Sequence, residues 1–66
     1  MHIIVNGDPV TLPDGASVQD LIRLLSLGDA KLAIEVNQAI VPRSAHANHR
    51  LRDQDCVEIV HAIGGG

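Results

Sequence analysis

The group best placed to do chemistry stands at one end of the chain, where "HAIGGG" runs from an apolar, strand-like stretch into Gly64, Gly65 and Gly66. Three residues without Cβ atoms make a thin arm, about 10 Å long when extended at roughly 3.3 to 3.6 Å per residue. Such an arm can thread a passage that any larger residue would block, and it carries an α-carboxyl with it. That carboxyl has a reference pKa of about 3.5, so at neutral pH it is an anion and a poor electrophile. To react it must be activated, most simply as an acyl-phosphate or acyl-adenylate made from ATP. The chain holds no Walker motif and no G-x-G-x-x-G fingerprint. Activation is therefore expected in another protein, with ATP and Mg²⁺ used there and no cofactor bound here. Terminal glycines also fray without any function. A working tail stands beside that reading because these follow strand residues directly, with no Ser, Lys or Pro of a linker between, and the tail alone leaves both open.

The remaining chemical side chains point to less. His46 and His49 are spaced H-x-x-H, which on a helical turn sets two imidazoles on one face, but no carboxylate or thiolate accompanies them in a zinc pattern. They read as solvated loop histidines, and no metal site is expected. Cys56 has no cationic neighbour or helix N-terminus to lower its pKa and reads as a small, half-buried strand residue. His61 faces inward by alternation and reads as strand-end packing, and Arg43 as a solvent-facing charge within reach of a partner.

The elements that must position the tail follow from pattern. "HIIVNGDPVTL" is two strand-like runs around Asn6-Gly7, the strongest short hairpin signal because both turn positions tolerate positive φ. Side chains alternate along a strand, so Met1, Ile3 and Val5 share the inner face and His2 and Ile4 the outer one. Ser17, three residues before Asp20, reads as the N-cap of a helix starting at Val18. Val18, Leu21, Ile22 and Leu25 form its apolar stripe, widened by Leu24, and Leu27-Gly28 its last turn and left-handed stop. "KLAIEVN" alternates as a third strand, Asn37-Gln38 turns into a short fourth strand closed by Pro42, and "CVEIVHAI" is the last strand. Between them lies a polar, irregular stretch, with one helical turn after Ser44 and Leu51 as its single anchor in the core.

Sixty-six residues hold one domain and one core, built by aliphatic residues because Phe, Tyr and Trp are absent. A sheet with one apolar face and a helix with one apolar stripe can each be covered only by the other. The order strand, strand, helix, strand, strand, strand therefore predicts an α+β protein of the ubiquitin-like β-grasp type. One helix crosses a mixed sheet of four to five strands, the first and last strands pair in parallel at the centre, and residues 64–66 form a flexible tail. Ile4, Val60 and Ala62 fall on the side away from the helix, an apolar group that a small monomer has little reason to display. With Ile63 they make the expected partner-docking surface.

Five Lys and Arg against eight Asp and Glu give a formal charge of −3, with no basic stripe, so nucleic acid is not an expected partner. A lone cysteine cannot form an internal disulfide and suits a reducing compartment, which makes the cytoplasm the expected location. No stretch approaches the ~20 apolar residues of a membrane span, and "MHIIVNGD" lacks the basic start and apolar run of a signal peptide.

Over nearly its whole length the chain resembles the ThiS family, the sulfur carriers of thiazole biosynthesis. The resemblance lies in "IIVNG", "SVQDLIRLL", "AIEVNQAIVPR" and "DQDCVEIVHAIGGG", with the VN-x-x-IVPR segment and the Gly-Gly terminus together its most specific parts. Gln38 and Gln54 depart from the family, standing where it often has a turn glycine or an acidic residue. The resemblance implies a protein co-substrate and not an enzyme. Its Gly66 carboxylate is adenylated by a ThiF-like activating enzyme, converted to a thiocarboxylate with sulfur from a donor system, and spent on a ThiG-like thiazole synthase for thiamin. It further implies that Gly64, Gly65 and Gly66 enter both partners' active sites. Three alternatives share parts of the pattern. The small subunit of molybdopterin synthase uses the same tail chemistry but tends to be longer and aromatic-bearing. A ubiquitin-like modifier would end in an isopeptide bond. A non-covalent β-grasp binding module would not be expected to finish at Gly-Gly.

Overall fold

The computed structural model describes residues 1–28 and 31–61. Strands β1 (His2–Val5) and β2 (Asp8–Thr11) form the opening hairpin, α1 spans Val18–Leu24, and β3 (Leu32–Val36) and β4 (Ala39–Ile40) form a second hairpin. A single 3₁₀ turn at Arg43–Ala45 and an irregular loop lead to β5 (Cys56–His61). The sheet is mixed and five-stranded in the order β2-β1-β5-β3-β4, with β5 parallel to β1 and antiparallel to β3. The β-grasp arrangement expected from the order of elements is the one observed. Ala62, Ile63 and the three glycines lie outside the described residues.

Both hairpins close on turns with positive φ at two consecutive residues, Asn6 and Gly7 in the first, Asn37 and Gln38 in the second. That geometry twists with the flanking strands, and Asn and Gly adopt it at small cost. The two turns sit symmetrically about β5. Val5 and Val36 both stand opposite Val57, so three valines cross the sheet in one buried row. Alternation holds throughout: Ile3, Val5, Ile34, Val36, Val57 and Ile59 are buried against α1, whose Val18, Leu21 and Ile22 complete the core with Leu12, Val41 and Leu51. Leu51 is the anchor of its loop, as the pattern predicts.

The helix start is as the sequence indicates. Ser17 Oγ accepts the Asp20 N–H at 3.2 Å, and the Asp20 carboxylate accepts the Ser17 N–H at 2.9 Å, a reciprocal box that satisfies two otherwise unpaired donors. The helix end is not. It stops at Leu24, short of the expected Leu27, with Leu25 as C-cap. Ser26 takes the left-handed conformation (φ 57°), its N–H donates to the Arg23 carbonyl, and the Leu27 N–H reaches back to Ile22. This is a Schellman ending with serine in the position glycine usually holds. Because the last turn peels away, Leu24 (55% exposed) and Leu25 (36%) leave the core that the stripe assigned them to. Leu27, folded back over the end, packs against the core instead.

Candidate functional site

The chain reaches residues 64–66 through β5, so that strand and the sheet face around it define the site. Along its β3 side β5 is paired to its last residue, with Leu32 opposite His61. Along its β1 side the backbone pairing ends at Val57, because β1 turns away at Asn6. The Asn6 side chain then continues the ladder: its amide N–H donates to the Ile59 carbonyl at 3.0 Å, and its amide oxygen accepts the Ile59 N–H at 2.8 Å. A primary amide has the donor and acceptor of a peptide unit, so Asn6 acts as one more residue of β1. Asn37 holds the other end of β5 in a related way. Its backbone N–H donates to the Cys56 carbonyl, its side-chain oxygen accepts the Cys56 N–H at 3.0 Å, and its amide donates to Asp55. The two asparagines fix β5 from both sides. The repeated V-N before each turn, at 5–6 and 36–37, is the signal of this in the sequence, and turn chemistry alone would also account for it.

The face turned away from α1 carries Ile4 (39% exposed) and Val60 (58%), as alternation predicts. Cross-strand register adds residues that alternation in single strands could not place. Ile40, 75% exposed, stands opposite Glu35 on this same face, Ala33 stands opposite Val60, and Glu35 opposite Glu58. Ala62 and Ile63, assigned to the docking surface with them, lie outside the described residues.

Three expectations are corrected here. His46 is buried, not solvated: a ring nitrogen makes a 3.1 Å hydrogen bond to the Val41 carbonyl. His49 is half-buried. Their spacing serves the backbone, because the His46 and His49 carbonyls accept the Gln19 and Val18 N–H groups and so cap the start of α1. The H-x-x-H pattern is thus a loop wrapped around a helix end, and among the described residues no cluster of three or more His, Cys, Asp or Glu side chains could hold a metal ion. Cys56 is exposed, not half-buried, since it lies on the outer face of the sheet with Glu58. His61 is exposed, not packed inward, although it shares the parity of the buried Val57 and Ile59. Arg43 is exposed and borders a cleft of about 320 Å³ with Gln19, Ile22, Lys31 and His46. Electrostatic perturbation lies elsewhere. Asp20 is held below the usual carboxylate range by the Ser17 N–H and hydroxyl, and Asp53 by the His2 N–H, at 2.6 Å, and the Gln54 amide.

A five-stranded mixed sheet crossed by one helix, with parallel first and last strands, defines a ubiquitin-like β-grasp protein. Within that class the ThiS family model matches residues 3–66, and the chain belongs to the ThiS family. It is 33% identical to the sulfur carrier protein ThiS of Escherichia coli, with both chains fully covered. A crystal structure of the thiamine biosynthesis protein ThiS from Geobacter metallireducens superimposes with a TM-score of 0.86 at 30% identity, covering all of both chains. The chain is also 36% identical over 66 residues to a thiazole synthase of Magnetococcus marinus, and it spans only 20% of that protein's length.

Proposed function

We propose that this protein is a sulfur carrier for the thiazole moiety of thiamin and that the carboxyl of Gly66 is its working group. The observation that carries the reading is the family match, which runs through residue 66 and so takes in the three glycines. In the first step the carboxylate oxygen attacks the α-phosphorus of ATP in a ThiF-like activating enzyme, and pyrophosphate leaves with Mg²⁺. In the second, sulfide-level sulfur from a donor system attacks the acyl carbon as HS⁻ and AMP departs with the bonding electron pair, giving a thiocarboxylate and releasing a proton. Its sulfur is anionic and nucleophilic, and the acyl link keeps it bound until it reaches thiazole synthase. The chain itself contributes reach and docking: Gly64, Gly65 and Gly66 enter each partner's active site, and Ile4 and Val60, with Ala62 and Ile63, meet the partner's surface. The protein is a co-substrate of its partners, and its setting is the cytoplasm.

Incubation with the activating enzyme of the same genome, ATP and Mg²⁺ should add an adenylate visible by intact mass. A sulfur donor should then leave the chain heavier by one sulfur-for-oxygen exchange. Deleting Gly66 should abolish both products and leave the melting curve unchanged. An unaltered mass with an activating enzyme shown to be active would overturn the reading.

A further inference from the structure

The outer sheet face holds a feature that packing does not require. Glu35 and Glu58 stand directly opposite each other on β3 and β5. Side chains so placed have Cβ atoms about 4.5 to 5.5 Å apart, and like charges there destabilise a sheet. Among the described residues no ion pair offsets them. No Lys or Arg stands on any of the five strands, and among the described residues the ion pairs are Met1–Asp14 and Arg23–Asp20. The two carboxylates are set among aliphatic side chains: Ile40 lies beside Glu35, and Ala33 and Val60 form the next pair along β3 and β5. A hollow of about 440 Å³, lined by Asn37, Gln38, Cys56 and Glu58, opens at the other side of the acid pair.

We propose that this face is the docking surface for thiazole synthase and that an arginine of the synthase, set among apolar groups, bridges Glu35 and Glu58. The inference rests on the carrier reading and adds to it the complementary charge and the partner. A planar guanidinium offers donors along more than one edge, so one side chain can satisfy both carboxylates and convert their repulsion into attraction. The flanking aliphatics exclude water from the contact, which strengthens it. Thiazole synthase is the partner because two curated proteins of that name, from Magnetococcus marinus and Paramagnetospirillum magneticum, each contain a region matching this chain as about one-fifth of their length. Joining two modules raises their effective concentration to about the millimolar range, an advantage only where the two must meet.

The test is calorimetric titration of the unmodified chain and of Glu35→Gln, Glu58→Gln and the double variant into the thiazole synthase of the same genome, across salt concentrations. Each single variant should bind roughly tenfold or more weakly. The double variant should lose less than the product of the two, and its affinity should depend less steeply on salt. All three should melt at or above the parent temperature. If the parent binds and the Gln variants bind equally well, this inference fails while the carrier reading stands. The partner assignment fails if only binding to the activating enzyme is weakened. A fall in melting temperature would make the pair structural and overturn the proposal. If the parent does not bind the synthase, the carrier reading itself is contradicted, and this inference with it.

Discussion

Replacing Asn6 with glycine tests whether β5 is held by a side chain acting as backbone. Asn6 has φ 49°, a left-handed conformation that glycine adopts without penalty, so Asn6→Gly keeps the turn and removes only the amide. The amide makes two hydrogen bonds to Ile59, at 3.0 and 2.8 Å. At about 1 kcal/mol net for each, and with the Ile59 peptide left facing solvent where Asn6 had covered it, the loss is about 2 kcal/mol. For a domain of this size 1 kcal/mol moves the melting temperature by roughly 4 to 8 °C, so a fall on the order of 10 °C is expected. The effect should also be local. Hydrogen exchange at the Ile59 amide should accelerate, while the Val60 amide, which belongs to the β3 side, should follow only the global change. Asn6→Asp supplies a control. It keeps the acceptor for the Ile59 N–H but sets a carboxylate against the Ile59 carbonyl, so it should be no more stable than Asn6→Gly at neutral pH. If Asn6→Gly melts with the parent and Ile59 keeps its protection, the strand is positioned by packing alone and the amide contributes nothing.

Ser26→Gly should raise stability by about 0.5 to 1 kcal/mol, because the left-handed residue of the helix ending then carries no Cβ; differential scanning calorimetry would show it. Ser17→Ala should cost about 1 kcal/mol by opening the capping box, with circular dichroism reporting helix loss. Asp20 and Asp53 have lowered pKa values, so each contributes stability that is present above its unfolded pKa and lost as pH falls through its folded one. The melting temperature should therefore decline below about pH 4, and Asp20→Asn should flatten that decline. Ile4→Asp should weaken binding to partner enzymes roughly tenfold or more while the melting curve keeps its cooperative shape. Collapse of the fold would instead place Ile4 in the core.

Much of this protein was legible along the chain because its signals are short-range. The Asn6-Gly7 hairpin, the Ser17–Asp20 box, the alternation in each strand and the glycines at 64–66 depend on residues within a few positions of one another. The β-grasp followed from them, since one apolar sheet face and one apolar helix stripe have a single way to cover each other. Where the structure departs from the pattern, the path of the backbone decided. Leu24 and Leu25 left the stripe because the chain turns at Ser26 and Leu27 takes their place over the helix end. His46 went inside because the loop carrying it wraps around the start of α1, while Cys56, which alternation already sets on the outer face of β5, is exposed there and not half-buried. Gln54, at φ 74°, holds a turn position better suited to glycine, and its N–H is tied to the His2 carbonyl from the far end of the chain. By itself the sequence determined the elements, the side of each strand that is apolar, and the chemistry open to residue 66. Only the tertiary structure decided which outer-face residues stand together. Glu35 and Glu58 are 23 positions apart in the chain, and it is the register of β3 on β5 that sets their charges side by side.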